Sequence, residues 1–173
     1  TLSLHDALPI LCDEDMKKVF TRLPSSSAIP LAVRRAQDMF VLMFLLRGLP
    51  FVDLAYLRKS DLRDNVITYR RRKTGRPLSV TLTPEALELL KKYMNRDSHS
   101  PYLFSLLKSG EGTKEAYREY QLALRSFNQQ LTLLGKVLGL NDRLSSYTAR
   151  HTWATTAYYC EIHPGIISEA MGH

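Results

Sequence analysis

Ser145–His173 reads SSYTARHTWATTAYYCEIHPGIISEAMGH. Arg150 and His151 stand at the start of an apolar helical segment, a His163-Pro164-Gly165 turn follows, and a second short helix ends in Met171-Gly172-His173. Such a helix–turn–helix path can bring Arg150 and His173 into one pocket although they are far apart in sequence. Arg150 opposes the dipole of the helix it opens, which calls for an anion nearby. Ser145 or Ser146 can cap that helix. Taken singly, His151 reads as a core histidine bonded to backbone, and Tyr158, Tyr159 and Cys160 read as side chains packed in the helix.

The bulk numbers frame this stretch. A chain of 173 residues suffices for one well-buried domain. Its net charge of +7 points to a polyanionic partner, because Lys and Arg displace the counterions condensed on phosphates. Two cysteines, Cys12 and Cys160, form neither a disulfide framework nor a metal motif, which fits a reducing interior. The longest apolar run, Met39–Leu46, is far below the roughly 20 residues that span a bilayer. Residues 1–11 read as a linker remnant or tail, and residues 12–173 as one domain. A first residue other than Met and an end at His173 lead us to expect a fragment of a longer protein.

Along the chain, Asp13-Glu14-Asp15 opens a short amphipathic helix and Leu31–Gly48 is a longer one, buried around Met39–Leu46. Gly48 and Pro50 break it, and Phe51–Leu57 is helical again. Val66–Arg71 and Leu78–Leu82 are β-rich and flank Lys73-Thr74-Gly75-Arg76, which predicts a β-hairpin. Thr83-Pro84-Glu85 starts a helix to about Met94, and residues 113–138 read as one long helix with apolar side chains at three- and four-residue spacing. The fold expected is mainly α (α+β), with a small β-hairpin.

Three constellations can carry chemistry. Residues 70–76 place five cations, Arg70, Arg71, Arg72, Lys73 and Arg76, at one tight turn, where an anion relieves their mutual repulsion. Arg47 follows eight apolar residues and must find a partner, a helix C-terminus or solvent. Arg150 and His173 are the third. Arginines, a lysine and a histidine suit a pentavalent phosphate transition state. No acidic cluster stands out for a metal, and Asp53 and Asp61 read as caps or ion pairs.

Residues 47–61 (RGLPFVDLAYLRKSD), 72–75 (RKTG), 147–155 (YTARHTWAT) and 169–173 (EAMGH) together resemble the catalytic domain of the tyrosine recombinases, the phage integrase family. The likeness is nearest to integrases of Bacteroides-type mobile elements. It implies a helical catalytic domain that cleaves and rejoins double-stranded DNA through a phosphotyrosyl link, needs no metal or cofactor, assembles as a tetramer on DNA, and works in the bacterial cytoplasm. Carried over, Lys73 is the general acid, Arg150 a phosphate clamp and His173 a hydrogen-bonding partner of the phosphate. Arg70, Arg71, Arg72 and Arg76 are expected on the DNA. The family's first arginine falls at Pro50, so Arg47 is the expected substitute. Tyr147 stands where the family carries a histidine. The nucleophilic tyrosine is expected just beyond His173, and none of the nine tyrosines lies there. The rival readings are a non-catalytic DNA-binding module of the same fold and a basic helical interaction domain.

Overall fold

A computed structural model describes residues 10–25 and 28–173. The expected tail lies outside these residues except for Ile10 and Leu11. Leu11 is buried in the core, and its N–H donates to the Thr152 hydroxyl at 3.2 Å, so the core includes the residue before Cys12.

The helix α2 (Leu31–Leu45) forms the centre, because its apolar residues run round its whole circumference. It packs against α1 (Asp13–Phe20), α4 (Pro84–Tyr93), α5 (Lys114–Leu138) and α6 (Thr148–Tyr159). Phe40, Leu42 and Met43 of α2 are wholly excluded from water. α3 (Phe51–Tyr56) follows the break at residues 46–50, and α7 (Pro164–Ala170) follows α6. Thr83 and Thr113 cap α4 and α5 by accepting the N–H groups of Ala86 and Ala116, both at 3.2 Å. The left-handed Gly139 ends α5. No helix among the described residues is long and apolar enough to cross a membrane.

The hairpin is present as β2 (Val66–Arg70) and β3 (Pro77–Thr81), in antiparallel register with Arg70 opposite Pro77. A third strand, β1 (Leu62–Arg63), pairs with β2. It is only two residues long and was missed. The signal was Asp64-Asn65, whose positive φ values of 49° and 61° make the tight turn between β1 and β2. Ile67, Tyr69 and Val80 point from the sheet into the core.

Several local expectations are corrected. Neither serine side chain caps α6; Tyr147 holds the N-cap position without a side-chain bond, and the Ser145 N–H donates to the Thr148 hydroxyl at 2.9 Å. Tyr158, Tyr159 and Cys160 are exposed, not packed, because α6 turns only Ala157 inward near its end. His151 is half-buried.

Candidate active site

Arg150 lies in the first turn of α6 and is only 8% exposed. Its guanidinium donates to the carbonyls of Gly48 and Met171, both at 2.9 Å, and lies 3.2 Å from His173 Nε2. A guanidinium only donates, so Nε2 accepts and the imidazole carries its proton on Nδ1. Burial, then Arg71, draws the Arg150 pKa down to about 10. His173 is also held below its ordinary value, by burial, then Arg150, Arg71, Lys73 and Arg76, so it is neutral at neutral pH.

A second arginine meets Arg150 on the same carbonyl. Arg71 is 5% exposed and donates through Nη1 to the Met171 oxygen at 3.0 Å. Its Nε lies 3.4 Å from Asp53 Oδ2. Asp53, in the first turn of α3, also accepts the Arg72 N–H at 3.0 Å. Burial pushes its carboxyl above the ordinary range, while the Arg72 N–H and the charges of Arg71 and Arg150 act the other way. Two buried guanidiniums thus face one buried carboxylate. Such a surplus is stable only beside strong acceptors and leaves net positive charge between the hairpin and α6.

The elements meet closely enough to demand glycine twice. A Cβ on Gly48 would lie 2.9 Å from the Cα of Arg150, and one on Gly172 would lie 2.6 Å from the Arg71 Cδ. Both glycines have positive φ, 68° and 75°. The hairpin is fastened to the end of α7 at three successive carbonyls. Met171 takes Arg71, Gly172 takes the Thr74 hydroxyl at 2.9 Å, and His173 takes Arg76. Lys73 is exposed between these anchors and, among the described residues, makes no hydrogen bond or ion pair.

The expected residues are placed unevenly. Arg150, His173 and the hairpin bearing Lys73 converge. Arg47 is half-buried, has φ 59°, lines a cleft with Arg76, Leu78, Ser79 and Glu169, and is near enough for its charge to act on Tyr69. No hydrogen bond or ion pair links it to Arg150, Asp53 or His173 among the described residues. Tyr147 is 65% exposed, its ring 6.3 Å from that of His151. With Pro50 and Arg150 it lines a cavity of about 40 Å³. Arg71 and Arg72 are not solvated cations of a free turn. Arg71 is turned inward, and Arg72 is ion-paired to Glu111 at 2.6 Å. Arg70 bonds the Gly75 carbonyl at 3.2 Å within the hairpin.

The inward turn of Arg71 was missed, although strand alternation carried it. Successive side chains of a strand point to opposite faces, so the face of Ile67 and Tyr69 is also that of Arg71. Tyr69 is buried among these charges, and burial with the nearby Asp53 pushes its phenol upward. Among the described residues no group of three or more His, Cys, Asp or Glu could hold a metal ion.

A small antiparallel sheet against a helical core is an architecture shared with DNA recombinases of known structure. XerA recombinase matches with a TM-score of 0.63 at 18% identity, covering 96% of this chain and 56% of that one. The Tn1549 transposon integrase in complex with transposon right-end DNA matches at 0.62 and 15% identity, over 96% of this chain and 58% of that one. A lambda integrase dimer bound to a COC′ core site matches at 0.58 and 20% identity, over 95% and 55%. The chain spans little more than half the length of these proteins. No curated protein sequence matches it. Residues 17–173 match the phage integrase family, and the chain belongs to that family.

Proposed function

We propose that this chain is the catalytic part of a tyrosine-type site-specific recombinase that breaks and rejoins double-stranded DNA. The observation that carries the reading is the convergence of Arg71 and Arg150 on the Met171 carbonyl, beside a neutral His173. A scissile phosphodiester placed there meets two fixed forks for its non-bridging oxygens. Negative charge accumulates on those oxygens in the transition state, where preorganised donors stabilise it most.

In this reading Arg71, not Arg47, replaces the arginine that Pro50 displaces. It arrives from the hairpin instead of the α2–α3 elbow. His173 donates to a phosphate oxygen through Nδ1. A tyrosine oxygen bonds phosphorus and the bond to O5′ breaks. O5′ leaves with the bonding pair and takes a proton from the Lys73 ammonium, while the phenol proton is lost to water. The attacking tyrosine belongs to the parent protein beyond residue 173, and Tyr147 supplies a hydroxyl at the rim. Arg70 and Arg76 contact flanking phosphates. The parent assembles as a tetramer on DNA in the cytoplasm of a bacterium, as part of a mobile element of the Bacteroides type.

The test is the covalent protein–DNA adduct formed by the parent protein on a nicked duplex carrying its recombination site. Arg150→Ala and Lys73→Ala should each abolish it while leaving the fold intact. DNA binding without any adduct from the unmutated parent would refute the enzymatic reading in favour of a non-catalytic module.

A further inference from the structure

Glu111 lies in the turn before α5, far from the arginine pair in sequence, and one carboxylate there holds two arginines. Its Oε2 accepts from Arg58 at 2.5 Å and its Oε1 from Arg72 at 2.6 Å. The Arg72 guanidinium also lies 3.6 Å above the Tyr56 ring. Arg72 is thus held by its side chain from two sides, and its main-chain N–H is held by Asp53. The next residue is Lys73.

Glu111 is a firm anchor because its own loop is fastened. Glu119, in α5, accepts the N–H groups of Lys108 and Ser109 at 2.6 and 3.1 Å, and the Ser109 hydroxyl at 2.5 Å. The Tyr102 hydroxyl donates to the Ser109 carbonyl at 2.6 Å. On the far side, Thr113 caps α5. Arg58 is fixed as well, through its N–H to Asp61 at 2.8 Å and a β-bridge to Tyr102. The two arginines hold the Glu111 carboxyl below its ordinary range, so it stays ionised at neutral pH.

We propose that Glu111 is a positioning residue for Lys73: it clamps Arg72 to the α3 and α5 ends and so fixes where the hairpin presents the lysine. This rests on the reading of Lys73 as the proton donor to O5′. A lysine that has no partner of its own takes its position from the backbone that carries it. A donor must lie within hydrogen-bond reach of the atom it protonates.

Two experiments test this. In the 173-residue chain, amide exchange of Arg71, Arg72 and Gly75 should quicken about fivefold in Glu111→Gln, the scale of an exposed but networked ion pair. Exchange in α2 and α5 should be unchanged. Exchange at these three amides that does not quicken overturns the proposal, whether or not the protein cleaves DNA. In the parent protein, Glu111→Gln should slow adduct formation on an ordinary duplex by tenfold or more. A duplex with sulfur at the bridging 5′ position should restore the rate, because a thiolate leaves without a proton. Equal slowing on both duplexes would mark Glu111 as merely structural. Tighter DNA binding with unslowed cleavage would make it a competitor of phosphate. Either result overturns the proposal. A parent that cleaves neither duplex without mutation refutes the recombinase reading instead, and the exchange experiment still decides the clamp.

Discussion

Replacing Arg71 by Met separates the two candidates for the missing arginine. The substitution removes a 3.0 Å bond to the Met171 carbonyl and a 3.4 Å ion pair with Asp53 while keeping most of the buried volume. If Arg71 grips the phosphate, one fixed donor is lost, and such losses reduce rates about 10²–10³-fold. Folding suffers less than catalysis. A stranded buried charge costs about 3–5 kcal/mol, but the Asp53 carboxyl is already raised by burial and will take up a proton instead. A residual loss of about 2 kcal/mol lowers Tm by about 4–8 °C in a chain of this size. Arg71→Met/Asp53→Asn removes the stranded acid and should regain most of that stability without regaining activity. Single-turnover adduct formation by the parent protein reads the first effect, and thermal melts of the 173-residue chain read the second. Arg47→Met, run in parallel, should change stability by no more than about 0.5 kcal/mol and leave cleavage nearly unchanged. A hundredfold loss in Arg47→Met, with unmutated rates in the Arg71 variants, would refute the assignment.

Three further outcomes are expected. His151 and His173 are both held below their ordinary pKa of 6.5, so below that pH the unfolded chain binds more protons than the folded one. Stability should therefore fall as pH drops below 6.5, and His173→Gln should flatten the slope of Tm against pH; an unchanged slope would show that His173 does not feel the arginine cluster beside it. Gly172→Ala places a Cβ 2.6 Å from the Arg71 side chain at a φ of 75°, and should destabilise by about 1–3 kcal/mol in a denaturant titration. Duplex binding by the chain should weaken steeply with salt, with a log–log slope of about −0.9 per phosphate contacted. Binding that ignores salt would favour the basic interaction domain over a DNA-binding one.

Much of the fold was legible because its signals are local. The Thr83-Pro84 start of α4, the continuous apolar run of α2 and the Gly-bearing turn at residue 75 each act within a few residues. Strand β1 escaped because two residues carry no period. The site was legible in part. Arg150, His173 and the hairpin that carries Lys73 do lie together, and Asp53 and Asp61 do serve as an ion-pair partner and a cap. Arg47 was favoured as the substitute arginine because it stands one helical turn from Pro50 in sequence. Spacing in sequence does not fix where the side chain goes: residue 47 lies past the end of α2 with φ 59°, and its side chain lines a cleft with Arg76 and Glu169.

The sequence by itself determined the helices, the hairpin and the family motifs, because propensity, capping and alternation depend on near neighbours. It also determined that Ile67, Tyr69 and Arg71 share a face. Only the tertiary structure decided that this face is the buried one, and that Arg71 and Arg150 meet on the Met171 carbonyl. Those contacts join residues 100 and 21 positions apart. The same holds for Glu111, which reaches Arg72 across 39 residues. A charge in a sequence states only that a partner is needed; which partner is settled by packing, when burial removes water as the alternative.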